Sequence, residues 1–166
     1  MKWVRIIIAV VFVGALAYYS FHPLPDFALK IGDTLLPVSK EEKEVRDVFA
    51  HYTALLMRGD TLCENIYMPN AAFQVVDTGP HGDPRGRAVT PTQHRTLMQQ
   101  ILTRIRAGEL HFHFTDVQCR ELPDGKVRLS CKEFINDGPG EHLSMVFVST
   151  APQRWAVSEE TRHFGP

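Results

Sequence analysis

The chain has 166 residues, 44% of them hydrophobic and 10% aromatic, which is enough for one ordinary core and so for one folded domain. Its 18 Lys and Arg residues nearly balance its 19 Asp and Glu residues, so no basic surface is available to attract a nucleic acid. The composition therefore excludes a nucleic-acid partner, and it also excludes disorder beyond a linker.

The N-terminus, MKWVRIIIAVVFVGALAYYSF, places Lys2 and Arg5 around the start of an uncharged apolar run. Such a run predicts an N-terminal apolar helix that exports the rest of the chain. Two interpretations remain open. Residues 1–21 are either an uncleaved signal anchor, which holds the protein in the inner membrane through residues 3–21, or a signal peptide cleaved after Ala17, which leaves a secreted protein. In both cases the positive-inside rule places the following domain outside the cytoplasm, in the periplasm or the extracellular space.

The remainder of the chain begins with a linker and two helices. Residues 22–38 hold three prolines and no periodicity, so we interpret them as a linker and residues 39–166 as the folded domain. A capping box at Ser39, followed by apolar residues at helical spacing, predicts a helix that ends at Gly59. A second, short helix is predicted over residues 60–67.

A strand, a loop, a third helix and four further strands follow. AAFQVVD, residues 71–77, predicts a strand, and the polar segment TGPHGDPRGR, residues 78–87, predicts a loop. Thr90 with Gln93 predicts the start of the third helix, which ends at Gly108. Four strand-like segments separated by LPDG, DGPGE and AP then predict an antiparallel meander. The order predicts an α+β fold in which three helices cover one face of a curved antiparallel sheet.

Cysteine and histidine spacings give no metal or cofactor site. Cys119 and Cys131 flank the LPDG turn, on one face of a hairpin but diagonally offset. A disulfide between them and a pair of small buried side chains both remain open. His111 and His113 share a strand face, but no third ligand can be placed beside them, so we expect no metal, and no cofactor is indicated.

Four segments carry a resemblance to a known superfamily: ALLMRGD at the end of the first helix, IYMPNAAFQVVD, RGRAVTPTQHRTLMQQIL, and RWAV in the last strand. In this order they make residues 41–164 resemble the NTF2-like superfamily, which includes SnoaL-like proteins and ketosteroid isomerase. The resemblance implies a cone of three helices packed on a curved antiparallel sheet. It does not imply one function, because this fold hosts several kinds of enzyme as well as binding and assembly modules without catalysis.

The resemblance also implies candidate site residues. Tyr52 lies one helical repeat before Gly59, where ketosteroid isomerase has the tyrosine that donates to the substrate oxygen. Asp77 ends the first strand about two residues later than the base of that enzyme would, which keeps it on the same strand face. The later strand reads LSMVFVS and has no carboxylic acid at the place of the second donor. The catalytic set is therefore incomplete.

Two functions from different classes follow. The first is a membrane-anchored, extracytoplasmic NTF2-like module with no catalytic set, which binds an envelope protein partner or a small apolar ligand contacted by Tyr52, Phe73 and Trp155. The alternative is a SnoaL-like or ketosteroid-isomerase-like enzyme that transfers a proton next to a carbonyl, with Tyr52 as donor and Asp77 or His113 as base. The enzyme requires a pocket of several hundred cubic ångströms on which Tyr52 and Asp77 converge. The sheet face is a candidate surface for a homodimer.

Overall fold

The computed structural model of the protein describes residues 28–31, 34–78 and 84–164. The predicted apolar segment of residues 1–21 lies outside these ranges. None of the helices in these ranges combines the length and the apolar composition that a membrane span requires. The chain divides into two compact units, Met1–Ser39 and Lys40–Pro166.

The first unit contains two short strands, β1 (Ala28–Ile31) and β2 (Thr34–Pro37), which pair antiparallel. These strands lie within the segment that was predicted as a linker, residues 22–38. Both strands of a two-stranded sheet are edge strands, where a proline such as Pro37 is tolerated.

The second unit contains the three predicted helices, two before β3 (Tyr67–Thr78) and one after β4 (Pro84–Val89). They are α1 (Lys40–Met57), a 3₁₀-helix (Thr61–Ile66) and α2 (Pro91–Arg106). The buried residues of α1 recur three or four positions apart, which places them on one face, and they are Val45, Phe49, Tyr52 and Leu56. The predicted capping box of α2 is confirmed: Thr90 Oγ1 accepts from Gln93 N at 3.2 Å, and Gln93 Oε1 accepts from Thr90 N at 3.0 Å.

The sheet has six strands in the order β4-β3-β8-β7-β6-β5. They are β3 (Tyr67–Thr78), β4 (Pro84–Val89), β5 (Phe112–Glu121), β6 (Val127–Ile135), β7 (Glu141–Ala151) and β8 (Arg154–Phe164). The meander of β5 to β8 and the α+β class are confirmed. The sheet is not purely antiparallel, however, because β3 pairs parallel with β8.

β4 corrects the prediction of a loop over residues 78–87. It pairs antiparallel with β3, from Phe73 opposite Val89 to Thr78 opposite Pro84. Its residues are almost all exposed. An edge strand that buries little surface shows no hydrophobic alternation, and its composition is that of a loop. Pro84 begins the strand, a position that proline tolerates.

The three cysteines are free thiols. Cys119 pairs with Leu129, so Cys131 is its diagonal neighbour, at a Cα separation of about 7 to 8 Å in a regular ladder. Disulfides usually need less than that. Burial raises the pKa of Cys119 to about 11 and that of Cys131 to about 12, which leaves little thiolate to react at neutral pH.

Candidate functional site

A β-bulge in β8 turns charged residues into the interior of the domain. Opposite the neighbouring Val146 and Phe147 of β7, β8 carries one extra residue, Ser158. An extra residue reverses the alternation of the side chains that follow it. Val157 and Glu160 are therefore both buried although they lie three residues apart.

The buried charges form a chain of ion pairs across the sheet. Arg162 on β8 donates from Nε to Glu160 Oε1 at 2.7 Å and from Nη1 to Glu133 Oε2 on β6. Burial alone would raise the pKa of Glu160, but Arg162, His94 and Tyr67 hold it below its usual value. At Glu133 burial outweighs Arg162, so the pKa of this carboxyl is raised. Glu160 is therefore a fixed negative charge inside the domain.

Two tyrosines connect Glu160 to the helices. Tyr67, the first residue of β3, donates its hydroxyl hydrogen to Glu160 Oε2 at 2.5 Å. The hydroxyl oxygens of Tyr67 and Tyr52 lie 3.5 Å apart, and their rings meet edge to face. Burial, together with Glu160, raises the pKa of both phenols. Both tyrosines therefore remain protonated at neutral pH.

His94, on the first turn of α2, completes an aromatic group with Tyr67 and Phe73. Its ring stacks on Phe73 at a centroid distance of 3.7 Å and meets Tyr67 at 5.0 Å. Its Nε2 lies 3.9 Å from Glu160 Oε1 and has no hydrogen-bond partner in the described part of the chain. Burial lowers the pKa of His94, and although Glu160 opposes this shift, the imidazole is neutral at pH 7.

A pocket of about 450 Å³ lies against this aromatic group. The 3₁₀-helix, the start of β3 and the first turns of α2 supply its walls. The lining residues are Thr61, Glu64, Asn65, Tyr67, Met68, Pro69, Phe73, Pro91, His94, Arg95 and Gln99. The inner wall is aromatic and the rim is polar, an arrangement that suits a small molecule with a ring-sized apolar body.

Of the three residues predicted to contact a ligand, one lines the pocket and two do not. Phe73 lines the pocket. Tyr52 is fully buried in the core behind Tyr67 and does not line it. Trp155 is also buried, and its indole N–H donates to Glu44 on α1 at 2.8 Å, away from the pocket.

Neither predicted base lies at the pocket. Asp77 is exposed, opposite Arg85 of the edge strand β4. It is four residues beyond Phe73, about 13 Å along β3 at the usual rise per residue. His113 is exposed on β5, and its ring stacks on Phe134 at a centroid distance of 4.5 Å. The structure therefore does not bring Tyr52, Asp77 and His113 together.

No cluster that would bind a metal is found among residues 28–31, 34–78 and 84–164: none of them form a suitable group of three or more His, Cys, Asp or Glu.

The sequence interpretation did not identify His94 and Tyr67. It also did not identify the charged residues of the ion-pair chain, which are Glu133, Glu160 and Arg162. Regular alternation in β8 from Trp155 would point Glu160 and Arg162 to solvent, and only the bulge at Ser158 turns them inward. One signal was present: His94 occupies a position on the buried stripe of α2, four residues before Met98.

Comparisons with known proteins bear on the fold. No protein-family model matches the sequence, and no curated protein matches it either. Among solved structures, a protein of unknown function from Pectobacterium atrosepticum has a TM-score of 0.56 at 12% identity, with 86% of this chain and 98% of that chain covered. A proposed ketosteroid isomerase from Shewanella frigidimarina has a TM-score of 0.54 at 12% identity, with coverages of 74% and 97%.

The CaMKII hub of S. rosetta is also similar, with a TM-score of 0.51 at 14% identity and coverages of 76% and 98%. At these identities the likeness is one of fold. The second unit therefore has the NTF2-like cone fold that the sequence resemblance implies.

Proposed function

We propose that this chain presents a small-molecule-binding domain outside the cytoplasm, held at the membrane by residues 1–21. The observation that carries the binding function is the pocket of about 450 Å³ whose inner wall is the aromatic group of Tyr67, Phe73 and His94. Its volume falls within the range of small-molecule sites.

The pocket wall is held in place before any ligand arrives. Tyr67 is fixed by its 2.5 Å hydrogen bond to Glu160, and His94 is fixed by stacking on Phe73. Glu160 is in turn held by Arg162 at 2.7 Å. A wall fixed in this way loses little conformational entropy on binding, so more of the contact energy appears as affinity.

The position outside the cytoplasm rests on the sequence alone. Lys2 and Arg5 flank the start of the apolar run, and the run continues to Phe21. Export through this segment, with or without cleavage after Ala17, places the pocket in the periplasm or the extracellular space.

The alternative of proton transfer by Tyr52 with Asp77 or His113 has less support. Tyr52 is buried behind Tyr67, and both bases are exposed at other places on the sheet. A catalytic base must come within hydrogen-bond reach of the proton that it removes. Binding without this catalytic set is therefore the function that the geometry supports best.

The test is a fragment screen on the full chain in detergent micelles, read by NMR of ¹³C-labelled methionine methyl groups. Met68 lines the pocket, whereas Met57 is exposed on α1 outside it and reports unspecific effects. We expect small ring compounds to shift the Met68 signal. Gln99→Trp fills the pocket and should abolish these shifts, whereas Gln100→Trp, at the next residue and outside the pocket, should retain them.

Two results would contradict the proposal. One is a screen in which no compound shifts Met68. The other is a set of compounds whose effects on Met68 persist unchanged in Gln99→Trp, because such compounds would then bind elsewhere.

A further inference from the structure

We propose that the pocket selects a cationic ligand, a small molecule with a protonated amine next to a ring-sized apolar body. This inference rests on the proposed small-molecule function and specifies the charge of the ligand. Three acceptors on residues that line one cavity carry it, together with the carboxylates of Glu64 in its wall and of Glu160 behind Tyr67.

The first acceptor is His94. Glu160 Oε1 lies 3.9 Å from Nε2, and a carboxylate at this side of the ring favours the tautomer with its hydrogen on Nε2. The neutral imidazole then keeps its lone pair on Nδ1. His94 is only 9% exposed and lines the pocket, so a bound ligand meets an acceptor at this wall.

The second acceptor is the hydroxyl oxygen of Tyr67. A phenol has one hydrogen to donate, and that of Tyr67 goes to Glu160 at 2.5 Å. What the hydroxyl group of Tyr67 keeps is therefore a lone pair and no free hydrogen. A ligand that needs a donor finds none in the hydroxyl group of this residue.

The third acceptor is the Glu64 carboxylate on the 3₁₀-helix, whose side chain is 21% exposed. Its oxygen lies 3.8 Å from Arg95 Nε, which is too long for a hydrogen bond. Arg95 is 70% exposed, so solvent screens its charge. Glu64 is thus a charged acceptor in the pocket wall with only a weak counter-charge.

The charges around the pocket favour a cation as well. The Glu64 carboxylate in the wall faces the guanidinium group of Arg95, and the Glu160 carboxylate behind Tyr67 pairs with that of Arg162. Of the two, Arg95 extends into solvent, and Arg162 is engaged by two carboxylates. A protonated amine would therefore gain attraction from the carboxylate in the wall.

An isosteric series of probes tests the charge preference: benzylamine, benzyl alcohol and benzoate, titrated at pH 7 into the full chain in detergent micelles. At this pH an alkylamine is protonated and a carboxylate is ionised. Dissociation constants are read from the Met68 methyl signal, with Met57 as the reporter of unspecific partitioning. We expect benzylamine to bind roughly tenfold more tightly than benzyl alcohol, the scale of one charge-assisted hydrogen bond, and benzoate to bind most weakly.

A matched pair of variants assigns the preference to the pocket. Glu64→Gln keeps the shape of the wall but removes its charge, and we expect it to bring benzylamine close to benzyl alcohol in affinity. Glu109→Gln removes the charge of another glutamate paired with an arginine of α2, Arg104 at 3.2 Å, but outside the pocket. It should leave the preference unchanged.

The outcomes separate this inference from the proposed function. If benzyl alcohol or benzoate binds as tightly as benzylamine, or if Glu64→Gln and Glu109→Gln behave alike, the cation preference is wrong while the pocket still binds small molecules. If none of the three probes shifts Met68, the preference is also wrong, and the fragment screen alone then decides whether the pocket binds small molecules.

Discussion

Glu160 is the residue on which both the interior and the pocket depend. It accepts hydrogen bonds from Arg162 and Tyr67 and faces His94. Removing one partner of a buried ion pair leaves the other charge without compensation, which costs about 3 to 5 kcal/mol. Glu133 remains next to Arg162 and reduces this cost.

We predict that Glu160→Gln lowers the free energy of unfolding at pH 7 by about 3 kcal/mol, measured by denaturant titration. The folded state holds the pKa of Glu160 below its ordinary value of 4.5, so the contribution of its charge is present above that pH and disappears as pH falls through the folded-state pKa. The gap between wild type and variant should therefore narrow below pH 4.5.

Glu121→Gln, at an exposed carboxylate at the end of β5, is the control and should change stability little at any pH. A gap for Glu160→Gln that stays constant from neutral to acidic pH would show that the ionised form of Glu160 is not what stabilises the fold.

At the scale of elements, the stability of α2 depends on the capping of its N-terminus. Thr90 caps the helix through Gln93, and Thr90 O accepts from the backbone N–H of His94 at 2.9 Å. We predict that Thr90→Ala costs about 1 kcal/mol, because the first turn loses its side-chain acceptor. Thr92→Ala, two residues later and also exposed, is the control. If thermal unfolding shows that both variants lose the same free energy of unfolding, Thr90 does not stabilise α2 as a cap.

Gly59 allows α1 and α2 to approach each other. It has φ of +68°, and a Cβ atom there would lie 2.6 Å from Arg106 Cγ and 2.9 Å from Leu102 O. Gly108 has φ of +74° but open space around it. We predict that Gly59→Ala destabilises the protein by more than Gly108→Ala, which meets only the backbone cost of about 1 to 2 kcal/mol. Similar unfolding energies for the two variants would show that the helices can separate at no cost.

The elements that could be predicted from sequence are those with a strong period or a clear turn. The stripe of α1, the capping box of α2 and the turns between β5 and β8 each gave the right element. β4 could not be predicted because its residues bury almost no surface. The inward direction of the Glu160 side chain could not be predicted either, because it depends on one inserted residue, Ser158. Of the three residues predicted to contact a ligand, Phe73 alone lines the pocket.

The whole molecule offers one further surface, the outer face of β6 to β8. Arg128 on β6, Val146 on β7 and Glu159 on β8 lie in one row across the strands. The positive side chain of Arg128 lies at one end of this row, and the negative side chain of Glu159 lies at the other end. A two-fold axis through the centre of the row would therefore place Arg128 of one copy next to Glu159 of the other. This pattern supports the homodimer suggested by the sequence.

We predict that the full chain in micelles behaves as a dimer in light scattering coupled to size exclusion. Arg128→Glu and Glu159→Arg should each weaken the dimer by like-charge repulsion, and the double variant should restore it because the charges are exchanged. A double variant as weak as the single ones would indicate that the two residues do not face each other in the dimer.

Export is tested in the cell. Alkaline phosphatase folds only in a compartment where its disulfides form. We therefore expect alkaline phosphatase fused after Val38 of this chain to be active. Deletion of residues 3–21 from the fusion protein should abolish the phosphatase activity. N-terminal sequencing of the mature chain distinguishes an intact anchor from cleavage after Ala17. An inactive fusion would place the domain in the cytoplasm instead.

The parallel pairing of β3 with β8 has a consequence for the order in which the domain is built. Tyr67 and Glu160 are 93 positions apart in the chain, so a ribosome delivers β3 long before β8, its parallel partner, exists. Contacts between such distant segments form late and slowly in folding. A chain interrupted before Arg154 would retain both α-helices and the strands β5 to β7, but it would lack Glu160 and the fixed charge behind Tyr67 and His94. Binding capacity is therefore acquired only after β8 has been synthesised.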